Sequence, residues 1–351
     1  MNQLKTLAGL TVSEIEKLAA LPRFRADQIY RWIIRGQDDF DKMTNIPNSL
    51  RGDLKSRFKI FSCSVDQVHD ETGAKKIAVV LSDGLKIEAV LLRDGKDRLT
   101  ACLSTQAGCP AGCVFCKTGS LGFSRNLECA EIVEQFLLLR TQAGESGDKN
   151  KEKHIIGNIV IMGMGEPLLN LEQLRKAIAV FTDRQGMNLS ARRITVSTCG
   201  ISSSLFDIAE NGPYARLALS LVTADENLRR RLMPVTEANP LQKVKEALIL
   251  YQRSGGGRVT LEVPLLGGIN TRGEDARLAA EFAKGLGTVV NIIPWNPVAG
   301  LEFEGAPLRE PEKKETENFI RMLESYGLKV TTRLRKGQRV TGACGQLGGT
   351  E

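Results

Sequence analysis

Apolar positions recur at helical spacing over the first sixty residues. Val12, Ile15 and Leu18 share one face, with Thr11 and Ser13 placed to cap the first turn. Phe24, Ile29, Trp32 and Ile33 mark a second amphipathic segment. The period then changes. From about Ser62 to Leu92 the chain reads as strands. Lys76 to Leu81 and Leu85 to Leu92 are apolar or alternating runs, and Ser82-Asp83-Gly84 between them predicts a hairpin turn. A boundary falls near residue 95. It divides the chain into a helical unit over 1–60, a strand region over 61–95 that carries Glu88, and a core over 96–351.

Within that core, strands alternate with helices. Leu99–Ser104, Asn158–Met162, Arg193–Ser197, Leu217–Leu221, Thr260–Val263 and Val289–Ile293 are the candidate strands. Glu131–Arg140, Leu171–Phe181, Leu241–Tyr251 and Asp275–Leu286 are helical segments between them. Such alternation implies a parallel sheet with helical crossovers. Six units predict an incomplete (β/α)6 barrel, two short of the eight-stranded form, with a small helical and β-strand accessory domain in front. Gly144 to Lys153 reads as a polar loop insertion.

Composition narrows the class. With 351 residues, 42% of them hydrophobic and 25% charged, the chain can bury a substantial core. No apolar run reaches the ~18 residues that span a bilayer, and the N-terminal residues lack the apolar stretch of a secretory signal. The expectation is a soluble, cytoplasmic protein with no membrane association. The formal charge of +7 is compatible with a polyanionic partner such as RNA, and also with an ordinary basic enzyme. Arg23, Arg25, Arg31, Arg35, Arg51, Lys55 and Arg57 concentrate the excess in the N-terminal region, as a solvated helix face or an RNA-facing one. Eight cysteines in a long chain with no export signal point to metal binding or catalysis rather than disulfides, and only His69 and His154 could supply imidazole.

The chemistry concentrates in Cys109-Pro-Ala-Gly-Cys113-Val-Phe-Cys116, directly after the first candidate barrel strand. Thiolates are the usual ligands of iron–sulfur clusters. Three of them in one tight loop leave a fourth iron open to bind something else. A structural zinc is the alternative, although it usually takes four protein ligands in paired C-x-x-C units, and no second pair is present. Gly163-Met-Gly-Glu166-Pro-Leu-Leu-Asn170 follows the second strand, where glycines let backbone approach a ligand and Glu166 can accept hydrogen bonds. Arg193-Ile-Thr-Val-Ser197-Thr, Ser220-Leu221-Val222 and Ile293-Pro-Trp-Asn296-Pro297 end later strands, where barrel active sites collect. Near the C-terminus stands Ala343-Cys344-Gly-Gln-Leu347, downstream of Arg333, Arg335, Lys336 and Arg339. A basic neighbourhood lowers a thiol's pKa if those residues come close in space.

The three-cysteine loop closely resembles the motif of the radical S-adenosylmethionine superfamily. Taken with Cys102-Leu-Ser-Thr-Gln-Ala-Gly-Cys109, the glycine-rich loop, Ile293 to Pro297 and Ala343 to Leu347, the chain looks like the RlmN/Cfr family of ribosomal RNA adenine methyltransferases. The resemblance runs over almost the whole chain, and includes Phe24-Arg-Ala-Asp-Gln-Ile29 and Glu88. It implies a [4Fe-4S] cluster on Cys109, Cys113 and Cys116. It implies that S-adenosylmethionine chelates the open iron through its amino and carboxylate groups and yields a 5′-deoxyadenosyl radical. Gly165, Glu166, Ser197, Ser220, Leu221, Val222 and Asn296 match the cofactor-contacting positions, with Glu166 toward the methionine ammonium.

Carbon 2 of adenine is not nucleophilic, so direct attack on the methyl of S-adenosylmethionine cannot work there. The resemblance implies two molecules of S-adenosylmethionine per turnover. One methylates Cys344. The other gives the radical that removes a hydrogen from that S-methyl group, and the resulting carbon adds to adenine. Cys102 then resolves the protein–RNA adduct, leaving a disulfide to Cys344, and Glu88 matches the proposed proton acceptor. Partners implied are 23S rRNA, tRNA, and an electron donor such as flavodoxin or ferredoxin. Pro167 follows the RlmN pattern, where the Cfr pattern, which acts on carbon 8, typically has Ala. A non-catalytic RNA-binding protein with a structural metal is the alternative of another class. Val222 departs from the family, which usually has His there. Cys199 stands where Ser is usual and reads as a small packed residue, and Cys63 and Cys129 read as structural.

Overall fold

The computed structural model describes residues 4–94, 98–144, 156–332 and 337–349. The chain opens with β1 (Lys5–Thr6), α1 (Val12–Ala19), α2 (Arg23–Ile33), α3 (Asn48–Arg57) and β2 (Phe58–Lys59). Thr11 caps α1 through a reciprocal box with Glu14, and Ser13 lies inside the helix. The short strands β1 and β2 pair in parallel and close this N-terminal unit on itself.

Three antiparallel strands follow: β3 (Ser64–Glu71), β4 (Ala74–Val80) and β5 (Lys86–Arg93), the last two joined across the expected turn. Next come β6 (Leu99–Cys102), then β7 (Gln106–Gly108) and β8 (Phe123–Asn126), which pair around the short helix α4 (Lys117–Ser120). The remaining elements alternate: α5 (Cys129–Gln142), β9 (Ile156–Ile161), α6 (Leu171–Thr182), β10 (Ile194–Thr198), α7 (Ser202–Asn211), β11 (Arg216–Ser220), α8 (Glu226–Leu232), α9 (Leu241–Arg253), β12 (Val259–Leu265), α10 (Gly273–Ala283), β13 (Thr288–Pro294), β14 (Glu302–Phe303), β15 (Ala306–Pro307), α11 (Lys313–Ser325) and β16 (Val330–Thr332).

Ten strands form one sheet in the order β16-β13-β12-β11-β10-β9-β6-β5-β4-β3. The six expected strands β6 and β9 to β13 are parallel neighbours, as an incomplete barrel requires. Two features exceed the expectation. The short strand β16 adds a seventh parallel member beside β13. Its three residues include no fully buried side chain, so no apolar run announces it. The strands β3 to β5 continue the barrel's own sheet, because β5 pairs antiparallel with β6. Residues 95–97, at the expected boundary, lie outside the described residues, as do the polar insertion over 145–153 and His154.

Burial explains the patterns. Parallel strands covered on both faces are apolar almost throughout, as in Ile159, Ile161, Val196, Leu217, Leu219, Leu261, Val290 and Ile292. Helix α5 is buried on nearly every side, polar residues included, because the sheet lies on one flank and the N-terminal unit on another. Its Cys129 thiol donates to Gly9 O at 3.4 Å, and Arg140 donates to Ile34 O at 2.7 Å. Among the described residues no helix is long and apolar enough to cross a membrane.

Candidate active site at the barrel mouth

One cavity of about 180 Å³ opens at the C-terminal ends of the parallel strands. Its wall holds Cys109, Cys113 and Cys116 from the loop after β7, Gly165 and Glu166 after β9, and Ser197 and Ser220 at the ends of β10 and β11. Asn296 follows β13, and Cys344 arrives from the C-terminal segment.

The three-cysteine loop is a tight structure. Cys109 N donates to Gly122 O at 2.8 Å, and Cys116 N to Cys113 O at 3.2 Å. Gly119 packs so closely that a Cβ there would sit 2.7 Å from Cys113 O. Burial pushes the Cys109 thiol up to about 12, and drives Cys113 and Cys116 upward as well. Backbone N–H groups of Ala111 toward Cys109, and of Gly119 and Thr118 toward Cys116, pull the other way. Desolvated thiols that receive N–H donors are the donor set of an iron–sulfur cluster, whose positive irons hold the sulfurs ionised. The residues therefore fit the group. Among the described residues no set of three or more His, Cys, Asp and Glu side chains is gathered tightly around a single-ion site.

Glu166 is buried and almost saturated. One oxygen accepts Thr198 Oγ1 at 2.7 Å and Leu168 N at 3.0 Å, and the other accepts Cys199 N at 2.7 Å. The Cys199 thiol is a fourth donor to it, so an incoming ammonium shares or displaces one of these contacts. Burial raises its pKa, and the Cys199 and Thr198 donors oppose that. Gly165 is obligatory beside it. Its φ is +101°, and a Cβ would meet Gln106 Cβ at 2.6 Å.

The C-terminal segment is pinned across the mouth. Cys344 O accepts Asn296 Nδ2 at 3.0 Å, and Gly345 O accepts Lys117 N at 2.8 Å. Leu347 O accepts Thr118 Oγ1 at 2.8 Å, and Gln346 Nε2 donates to Pro297 O at 3.0 Å. Cys344 is thereby carried into the same cavity as the cluster loop. Of the basic residues expected near it, Arg339 is exposed, and Arg333, Arg335 and Lys336 lie outside the described residues.

Other expected positions sit behind the wall. Leu221 and Val222 are fully buried and send their N–H groups to Glu262 O at 2.9 and 3.3 Å. Val222 has a φ of +63°, rare for a β-branched residue, and its carbonyl accepts Asn270 Nδ2 at 2.8 Å. Cys102 is buried on β6, paired with Val90 and Val160. Glu88 on β5 is buried, ion-paired to Lys76 at 2.9 Å.

Sequence reasoning missed two residues here. Glu262 lines the cavity, and its signal was a lone carboxylate inside an apolar strand. Arg229 is fully buried and donates to Leu221 O at 3.0 Å, Ser220 O at 3.1 Å, Cys199 O at 2.6 Å and Thr236 Oγ1 at 2.7 Å. It ties the ends of β10 and β11 together, and burial pulls its pKa down. It sits in Arg229-Arg230-Arg231, which reads as a solvated run, so nothing in the sequence marks it out.

Residues 103–279 match the radical SAM superfamily, and residues 7–60 match the ribosomal RNA large subunit methyltransferase N-terminal domain. A protein of Treponema denticola described as "Probable dual-specificity RNA methyltransferase RlmN" is 46% identical over 98% of this chain and 95% of its own length. The chain belongs to the RlmN family of radical S-adenosylmethionine RNA methyltransferases. A second RlmN relative, the dual-specificity RNA methyltransferase of Lawsonia intracellularis, is 39% identical over 97% of the chain and 96% of its own length. The crystal structure of a radical SAM methyltransferase from Sphaerobacter thermophilus superposes with a TM-score of 0.90 at 35% identity, covering 98% of this chain and 99% of that one. Membership of the RlmN family implies the iron–sulfur cluster and S-adenosylmethionine.

Proposed function

We propose that the protein methylates carbon 2 of an adenine in 23S rRNA, and of an adenine in tRNA, through a methylated Cys344. The observation that carries this reading is that Cys344 lines one cavity with Cys109, Cys113, Cys116 and Glu166. When bound, the cluster and two molecules of S-adenosylmethionine per turnover supply a methyl group and a hydrogen-abstracting carbon radical, with the electron coming from a donor such as flavodoxin or ferredoxin.

The chain's own residues do the rest. Cys109, Cys113 and Cys116 hold the cluster. Glu166 takes the methionine ammonium in place of the Cys199 thiol contact, and Gly165, Ser197, Ser220 and Asn296 line the space around it, with Leu221 and Val222 supporting the wall from behind. Cys344 takes the methyl group on sulfur. That methyl carbon, once it has lost a hydrogen atom, bonds to adenine carbon 2. Glu88 is the proposed acceptor of the ring proton. The unpaired electron left on the adduct would return to the cluster as the ring proton leaves. The Cys102 thiolate then attacks the Cys344 sulfur. The Cys344 S–CH2 bond breaks with its electron pair going to the methylene carbon, and that carbon takes a proton to become the methyl group of the released base. We place this reaction in the cytoplasm, where both RNAs are available.

The test is anaerobic reaction of the reconstituted enzyme with rRNA fragments and with tRNA, followed by mass spectrometry of the nucleosides. 2-Methyladenosine from both substrates supports the proposal. 8-Methyladenosine, or none, overturns it.

A further inference from the structure

The segment that carries Cys344 is gripped from behind by a buried ion pair. Lys76 on β4 and Glu88 on β5 pair at 2.9 Å with side chains 1% and 2% exposed. Lys76 Nζ also donates to Thr341 Oγ1 at 2.8 Å, and the second oxygen of Glu88 accepts Gly348 N at 2.7 Å. Thr341 and Gly348 flank Cys344 on either side. The pair thus holds both ends of the piece of chain that presents the thiol.

Thr341 adds an independent sign. Its φ is +48°, in the left-handed region that β-branched residues avoid. Such a conformation persists only where surrounding contacts over-determine it. Thr341 is exposed, so burial is not what holds it. Its hydroxyl accepts from Lys76 and donates to Val340 O at 2.8 Å, its N–H donates to Gln338 O at 3.2 Å, and Gly342 N closes the turn onto Gly337 O at 2.7 Å. A buried ion pair is often no more stabilising than an apolar pair of the same volume, so its use here calls for a role beyond stability.

We propose that Lys76 is a positioning residue: through Glu88 and Thr341 it holds the Cys344 thiol at the cavity wall. The inference rests on Cys344 being the methyl carrier. Losing the clamp loosens the two ends of the segment, while the bonds of Gly345 and Leu347 to Lys117 and Thr118 beside the cysteine loop remain.

The test uses full-length enzyme and measures alkylation of Cys344 by iodoacetamide, followed by peptide mass spectrometry, with Cys63 and Cys129 as buried controls. Thr341→Val keeps the shape and removes the hydroxyl. It should speed Cys344 alkylation about tenfold, mainly through loss of the charge-assisted hydrogen bond to Lys76, with the unfolding midpoint lowered less than in Lys76→Gln. Thr341→Ser should behave as wild type. With RNA, Thr341→Val should lower kcat and leave KM unchanged. Lys76→Gln should open the segment further and also lower the unfolding midpoint. Wild-type alkylation in Thr341→Val, failure of Thr341→Ser to restore slow alkylation, or faster alkylation with no loss of kcat would each overturn the proposal. A wild-type enzyme that methylates no RNA while Thr341→Val still opens the segment would sink the proposed reaction and leave the clamp standing.

Discussion

Charged side chains are used in opposite ways in the N-terminal unit and at the barrel mouth. In the N-terminal unit they face water. Lys55 and Asp41 pair at 2.6 Å with both side chains 60% exposed, a contact worth about 0–1 kcal/mol. A basin between this unit and the loop after α6 is lined by Arg23, Asp27, Arg31, Arg35 and Arg184 around Phe24, which is 58% exposed. At the mouth, Glu166, Arg229, Glu88 and Lys76 are buried and bonded to neighbours. Breaking such a buried pair typically costs about 3–5 kcal/mol. The first region leaves its charge at the surface, partly paired as in Arg31 with Asp27 at 2.9 Å, and the second uses it to fix positions.

The largest expected effect lies at the mouth. Cys113→Ala should abolish iron binding and reduce cleavage of S-adenosylmethionine to background, because two thiolates are too few to keep a cluster. Iron analysis and 5′-deoxyadenosine release check this, and full iron content in the variant would break the ligand assignment. Cys344→Ala should act one step later. It should keep iron and the cluster absorbance and lose both self-methylation and RNA methylation, as read by peptide and nucleoside mass spectrometry.

A smaller effect is expected at the seam between the two regions. Glu134 on α5 accepts Ser62 N at 2.9 Å and Cys63 N at 2.7 Å, where the N-terminal unit joins the sheet. Burial holds its pKa up at about 7, against an ordinary 4.5. The folded chain keeps this proton to higher pH than the unfolded chain does, so stability falls as pH rises from about 4.5 through about 7. At about 1.4 kcal/mol per tenfold change, the window is worth at most about 3–4 kcal/mol. Urea unfolding of Glu134→Gln from pH 5 to 8 should be flatter than wild type. Parallel curves would place the titration elsewhere.

The smallest effect belongs to the exposed basin. Arg35→Ala and Arg184→Ala should weaken RNA binding modestly. Each should reduce the slope of log affinity against log salt by about 0.7–0.9 if the arginine neutralises one phosphate. Cofactor cleavage without RNA should not change. An unaltered slope would make these side chains a solvated face and erase half of the comparison.

What the sequence made legible follows the same division. The alternating segments and the three-cysteine loop were readable from residue spacing, and Glu166 and Cys344 were marked through the family resemblance; the structure brings the three cysteines, Glu166 and Cys344 to one cavity. The strand β16 was not, because its edge pairing needs no apolar run. Arg229 and Lys76 were not either. Each sits in a short basic stretch, Arg229-Arg230-Arg231 or Lys75-Lys76, and only the folded backbone decides which cation turns inward. Val222 shows the same limit. The sequence marks it as a departure from the family, but only the structure shows its side chain buried, and its N–H and carbonyl bonded, behind the cavity wall.

The central claim is that Cys344 forms a carbon bridge to RNA that Cys102 resolves. It is tested most directly by anaerobic reaction of Cys102→Ala with rRNA, read by denaturing gel and peptide mass spectrometry. The account predicts a shifted protein–RNA band and a Cys344 peptide joined to adenine through one methylene. Free methylated adenine at the wild-type rate, with no adduct on Cys344, would contradict it.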